Sequence, residues 1–141
     1  MDNIPIEITD SPTDADWKEL EDHIIQYNLQ ATNHQDYRPL VSFIRDDNRE
    51  IVAGITAFTW GGTLRIVDLW VHEKLRKQGY GSKLLRAAEE EAQARGCKQA
   101  VLETHSFQAP KFYPRHGYKV CGTFENYPVG HQQIFFQKKL A

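Results

Sequence analysis

The residues of this chain best suited to chemistry on an anion are Arg76-Lys77-Gln78-Gly79-Tyr80-Gly81. They open a predicted helix that runs from about Gly79 to Arg95, with Gly96 as its C-terminal stop. Lys74, Arg76, Lys77, Lys83 and Arg86 cluster around the start of that helix, and Glu89, Glu90 and Glu91 follow later. A free-standing helix prefers the reverse order, because cations near its N-terminus oppose the macrodipole by up to ~1 kcal/mol each. No Ser, Thr, Asp or Asn stands in the capping position before Gly79, so the first N–H groups lack a side-chain acceptor. A bound phosphate would satisfy those donors and reverse the charge conflict. Gly79 and Gly81 allow the turn and a close approach of the anion to the backbone. The bland alternative is an ordinary helix start with basic residues facing solvent. Two commoner phosphate motifs do not fit. Gly81-Ser82-Lys83 has the wrong order for a Walker loop. The third glycine of a dinucleotide fingerprint is missing, and the preceding strands read as a meander instead of a parallel unit.

The elements that must position this turn can be read from the spacing of apolar residues. Ile6-Glu7-Ile8-Thr9 alternates like a short strand, and Asp10-Ser11-Pro12-Thr13 is turn and cap chemistry. Asp14 to about Ala31 is a predicted helix, with Trp17, Leu20, Ile24 and Tyr27 at helical spacing. Three extended segments follow, at 40–45, 51–60 and 64–71, joined by turns at Asp46–Arg49 and Gly61-Gly62. They form a predicted antiparallel meander. The long helix comes next, with Gly81, Leu84, Leu85, Ala88 and Ala92 on one face. A buried strand at 100–104, a brief helix at 109–116, and strands at 118–122 and 133–138 close the chain. The order β-α-β-β-β-α-β-α-β-β predicts one mixed α/β domain spanning residues 1–141.

Bulk properties narrow the function. The chain has 141 residues, a formal net charge of -2 and 40% hydrophobic residues. That size and composition suit one globular domain with a real core. The charge argues against a general nucleic-acid binder. Cys97 and Cys121 lack metal-ligand spacing and read as reduced thiols in or near the core, with no metal expected. Met1 to Pro5 carries neither a basic nor an apolar leader region, and no apolar run reaches membrane-spanning length. The expectation is a soluble, cytoplasmic protein.

The segment Leu69-Trp70-Val71-His72-Glu73-Lys74-Leu75-Arg76-Lys77-Gln78-Gly79-Tyr80-Gly81 resembles the signature of the GNAT superfamily of N-acetyltransferases. The core of that signature is Arg/Gln-x-x-Gly-x-Gly/Ala, met by Arg76, Gly79 and Gly81. A second segment, Ala109-Pro110-Lys111-Phe112-Tyr113-Pro114-Arg115-His116-Gly117-Tyr118, is similar to the family's small residue, apolar-Tyr pair and Gly-aromatic pair. The stretch 126–131 resembles a subgroup of small bacterial members. The resemblance covers nearly the whole chain.

The resemblance implies a mixed sheet whose parallel central strands splay into a V, with acetyl-CoA threaded into the gap. The backbone of Leu69, Trp70 and Val71 is then expected to pair with the pantetheine arm. The N–H groups of Arg76, Lys77, Gln78, Gly79, Tyr80 and Gly81 are expected to hold the pyrophosphate, with Ser82 adding a hydroxyl and Phe112 packing near the acyl end. Tyr113 matches the general acid that protonates the departing thiolate. Asp68 is the first choice for the base that takes the amine's proton, with Glu103 and His105 as alternatives. Ser106 stands where many relatives carry an Asn that contacts pantetheine. Pro114 would fall inside a helix begun near Pro110, which threatens the placement of Tyr113.

The acceptor is not written in these motifs. Tyr27, Asn28, His34, Asp36 and Tyr37 from the front of the chain, and Glu125, Tyr127 and His131 from the back, are the candidate acceptor contacts. Acids with aromatics suit a small cationic amine. The competing readings are a non-catalytic acyl-CoA-binding module and an acetyltransferase acting on protein or aminoacyl-tRNA, the last disfavoured by the chain's acidity. No membrane partner is expected. Phe135 and Phe136 fit either the core or a homodimer interface.

Overall fold

A capping box starts the first helix. The Thr13 hydroxyl accepts from the Asp16 N–H at 3.0 Å, and the Asp16 carboxylate accepts from the Thr13 N–H at 3.1 Å. The helix so nucleated is α1, Asp14–Thr32, and Asn33 ends it in the left-handed conformation. These features come from a computed structural model that describes residues 3–141; Met1 and Asp2 lie outside the described residues. The chain divides into two compact units, Met1–Gln35 and Asp36–Ala141. The first contains α1. The strand expected at Ile6–Thr9 does not form: its alternating side chains have no ladder partner among the described residues. An alternating pattern becomes a strand only where a neighbour pairs with it.

The second unit carries the sheet. Its strands are β1 (Arg38–Arg45), β2 (Ile51–Trp60), β3 (Thr63–Val71), β4 (Gln99–His105), β5 (Lys119–Glu125) and β6 (Gln132–Lys139). The spatial order is β1-β2-β3-β4-β6-β5. β1, β2 and β3 form the expected antiparallel meander. Asp46 and Glu50 close the first turn, and Gly61 and Gly62, at φ +59° and +82°, close the second. β4 is parallel to β3, and β6 is antiparallel to both β4 and β5.

Helix α2, Tyr80–Ala94, packs across β1, β2 and β3. Its Leu84, Leu85, Ala88 and Ala92 are buried, as their spacing predicts. They meet Leu40, Ala53, Ile55, Leu64 and Ile66 in one core, which continues through Leu102, Tyr113, Tyr118 and Phe136. Phe136 is therefore a core residue, and Phe135 packs edge-on against Phe124.

Two further expectations, the helix over 109–116 and a place for Cys121 in or near the core, are corrected, and two local features, at Glu89 and Val67, add to the reading. The helix expected over 109–116 is only a 3-10 turn, Pro114–His116, preceded by irregular turns. Glu89 is buried, unlike its neighbours Glu90 and Glu91, because Tyr118 and Lys138 reach its carboxylate. Cys97 is buried as expected, but Cys121 is exposed where the β5–β6 register shifts between Val120 and Gly122. In β3 a bulge places Asp68 opposite Thr56 and Ile66 opposite Ala57, so Val67 has no cross-strand partner and is exposed.

Candidate active site

The sheet opens at its centre. β3 and β4 pair only from Thr63 to Arg65 against Gln99 to Val101, although β3 runs on to Val71 and β4 to His105. Beyond Arg65 the strands diverge, which is the expected V. Among the described residues the edge of β3 that faces β4 then has no ladder partner on that side, so its N–H and C=O groups can pair with an extended ligand. A cleft of about 650 Å³ occupies this opening. Leu69, Trp70 and Val71 line one wall, and Phe107, Phe112 and Tyr113 line another.

The basic turn forms the mouth of the cleft. After β3 the chain makes a 3-10 turn, Glu73–Leu75, capped by His72, whose Nδ1 accepts from the Lys74 N–H at 3.1 Å. Arg76 folds back and its Nε donates to the Val71 carbonyl at 3.0 Å. The Gln78 side chain donates to the Lys74 carbonyl at 3.2 Å. Lys77 and Gly79 both take positive φ, +64° and +88°. Alternating right- and left-handed backbone of this kind is a form suited to cradling anions with main-chain N–H groups. Gly79 is the N-cap of α2 and supplies no side-chain hydrogen bond; the first helical bond runs from Lys83 N–H to Gly79 C=O at 3.1 Å. The N–H groups of Tyr80, Gly81 and Ser82 thus have no intrahelical acceptor. Arg76, Lys77, Gly79, Tyr80, Gly81 and Ser82 all line the cleft.

Three features of the turn escaped the sequence: the His72 cap, the inward fold of Arg76, and a hydrogen bond between Ser82 Oγ and His116 Nε2 at 3.0 Å. The last joins the two signature segments. Phe112 joins them as well, since a Cβ on Gly81 would meet its ring at 3.5 Å. No periodicity reports contacts between segments so far apart in the chain.

Tyr113 is buried, with its ring against Phe112, Tyr118 and Phe136 at centroid distances of 5.1, 5.8 and 5.7 Å. Burial, and secondarily the charge of Asp68, push its phenol above the ordinary value, so the proton stays on oxygen. Pro114 does not fall inside a helix begun near Pro110. The 3-10 turn starts at Pro114, and the first helical position is where proline fits best.

The acid-base candidates lie on the sheet face opposite α2. Asp68 accepts from the Thr56 hydroxyl at 3.3 Å. Glu103 is engaged by Arg65 at 3.2 Å. His105 Nδ1 lies 3.1 Å from the Tyr127 carbonyl, which can only accept. Nδ1 therefore carries hydrogen, and in the neutral ring Nε2 is the free acceptor. His105 also stacks on Phe107 and meets Tyr127 edge-on, and Phe107 meets His131.

Other candidates sit elsewhere. Ser106 does not line the cleft; its hydroxyl accepts from the Gln132 N–H at 2.9 Å and ties β4 to the start of β6. Gln78 braces the turn from outside the lining. Asp36 accepts from the Gly61 N–H at 3.2 Å, and Tyr37 packs on Phe58, so both brace the meander. Glu125 holds Gln132. Tyr27, Asn28 and His34 belong to the N-terminal unit. Among the described residues no group of His, Cys, Asp or Glu is arranged to hold a metal, and no helix is long and apolar enough to cross a membrane.

Comparison with known proteins agrees with this geometry. The model of the acetyltransferase (GNAT) family matches residues 6–118. An acetyltransferase of Agrobacterium fabrum is 34% identical over 122 residues, covering 86% of this chain and 89% of its own. The blasticidin-S acetyltransferase of Streptomyces morookaense is 32% identical over 116 residues, covering 79% and 85%. The crystal structure of an acetyltransferase from Bacillus cereus superposes with a TM-score of 0.82 at 34% identity, covering 95% of this chain and 98% of that one. With the splayed strands, the uncapped basic turn and two matching signature segments, these similarities make the chain a member of the GNAT family of acetyltransferases.

Proposed function

We propose that this protein transfers the acetyl group of acetyl-CoA to a primary amine of a small cationic molecule. The observation that carries the reading is one cleft in which the unpaired edge of β3, the uncapped start of α2 and the buried Tyr113 phenol meet. The β3 edge takes the pantetheine arm, the turn takes the pyrophosphate, and Tyr113 waits at the sulfur.

In the chemical step the neutral amine attacks the thioester carbon. A carbon–nitrogen bond forms and the carbon–sulfur bond breaks. The departing thiolate takes the Tyr113 proton, which suits a phenol held protonated by burial. The proton lost by the amine passes to Asp68, directly or through water. Glu103 is less suited, because Arg65 already holds its carboxylate. The acceptor approaches from the face carrying Asp68, Glu103 and His105, where a cation meets acids and aromatic rings. Free thiols at Cys97 and Cys121 accord with a cytoplasmic enzyme.

The test is turnover. The protein is incubated with acetyl-CoA and a panel of polyamines, aminoglycosides and blasticidin S, the last chosen for the relative that acetylates it. Release of free CoA thiol and the mass of the acetylated amine are followed. Acceptor-dependent thiol release with at least one small amine is expected. CoA binding without turnover on any amine would favour an acyl-CoA-binding module instead.

A further inference from the structure

We propose that His116 is a positioning residue for the acyl donor, acting through Ser82 to aim a hydroxyl donor at the pyrophosphate. The inference rests on the reading that CoA occupies the turn.

Ser82 lies in the first turn of α2 and lines the cleft. Its Oγ sits 3.0 Å from His116 Nε2. His116 ends the 3-10 turn that carries the second signature segment, and its ring is held against Phe112 at 4.7 Å between centroids. The imidazole is half-buried, and burial is the main cause that lowers its pKa below the ordinary histidine value. The charged groups acting on it are Glu89 and Arg86 of α2, Lys138 of β6 and its neighbour Arg115.

A neutral imidazole has one N–H, so the Ser82–His116 bond has two forms. If Nε2 is bare, the Ser82 hydroxyl donates to it and turns its lone pairs toward the cleft, where they repel an anion. If Nε2 carries hydrogen, the imidazole donates to Ser82 Oγ and the hydroxyl proton is free to point into the cleft. A phosphate oxygen accepts only, so a bound pyrophosphate selects the second form. His116 then fixes the serine oxygen in place and polarises its O–H toward the anion. The protonated ring also carries hydrogen on Nε2 and adds a positive charge near the phosphates. Binding is thereby linked to His116 protonation, and CoA holds more tightly as pH falls through the histidine range.

CoA affinity is measured by calorimetry for the unaltered protein and for Ser82→Ala, His116→Phe, His116→Gln and the double variant Ser82→Ala/His116→Phe, with folding checked by thermal melts. Phe keeps the ring against Phe112 and removes the donor; the Gln amide keeps a donor near the Nε2 position. Ser82→Ala and His116→Phe are each expected to weaken CoA binding about fivefold, the double variant no more than the weaker single, and His116→Gln to restore binding to within about twofold. As pH falls from 8.5 to 5.5 the unaltered protein gains affinity, chiefly below about pH 6.5 because burial lowers His116, and His116→Phe loses most of that gain. Equal CoA affinity in His116→Phe and the unaltered protein would overturn the relay and leave the donor site intact. Additive losses in the double variant, or no recovery in a folded His116→Gln protein, would also overturn it. Absence of CoA binding in the unaltered protein would overturn the donor reading, and the relay with it.

Discussion

At the scale of single residues, the proposed chemical step turns on Tyr113. Its aromatic contacts are made by the ring, so Tyr113→Phe keeps the ring packing and removes only the hydroxyl. The expected loss in kcat is ~10²- to 10⁴-fold, with little change in KM for acetyl-CoA. Steady-state kinetics at saturating amine checks this, and an unchanged kcat would remove Tyr113 as the acid. The phenol is raised above its ordinary value of 10.0 by burial and then by Asp68. The acid form therefore persists through the neutral and mildly alkaline range, and kcat should show no descending limb from this residue below pH 10. The residue type and its place in the signature were legible in the sequence. That Pro114 would begin a 3-10 turn was not, because helix phase depends on where the turn is pinned.

At the scale of elements, the turn suits an anion because α2 starts without a side-chain cap and the backbone reverses twice just before it. Gly79 sits at φ +88°, and a Cβ added there would meet nothing within 4 Å, so Gly79→Ala adds strain but no clash. The expected cost is about 1 kcal/mol, near 3 °C in Tm for a chain of this size. Gly81 takes an ordinary helical conformation, and its added Cβ would touch Phe112 at a normal 3.5 Å. Gly81→Ala should thus be nearly neutral for folding. Denaturant titration of the two variants separates backbone strain from crowding, and equal losses would contradict the assignment. The charge order around this turn was readable directly, since reversed polarity and a missing cap are properties of local sequence.

At the scale of the whole molecule, Glu89, Tyr118 and Lys138 tie α2 to the far strands of the sheet. The Tyr118 hydroxyl donates to Glu89 at 2.6 Å, and Lys138 reaches both carboxylate oxygens at 3.0 and 3.1 Å. Glu89→Ala leaves both partners without their acceptor and should lower stability by about 3 kcal/mol, while Glu89→Gln costs less. Burial first, then the bond to Glu89, raise the Tyr118 phenol far above its ordinary value of 10.0. Above pH 10 the unfolded chain loses this proton while the folded chain keeps it, so the unfolded state binds fewer protons and stability falls as pH rises. Below pH 10 both states keep the proton and the contribution is complete. Thermal melts from pH 8 to 11 should show a decline in Tm that is shallower in Tyr118→Phe; parallel slopes would rule the linkage out.

The meander, α2 with its buried face, the uncapped basic turn and the family could all be read from the order of residues, because each rests on local period, capping, charge order or a contiguous motif. Which candidates share the cleft emerged only from the folded chain. It put Ser106 on Gln132 and Asp36 on Gly61, buried Glu89 beside Tyr118, and brought His116 to Ser82. It also withheld a partner from the alternating stretch at Ile6–Thr9. Contacts between distant segments depend on how the sheet and helix bring them together, and neither spacing nor composition carries that information. For the same reason the family could be read from a continuous stretch of chain, while the proposed acceptor face of Asp68, Glu103 and His105 draws on separate strands.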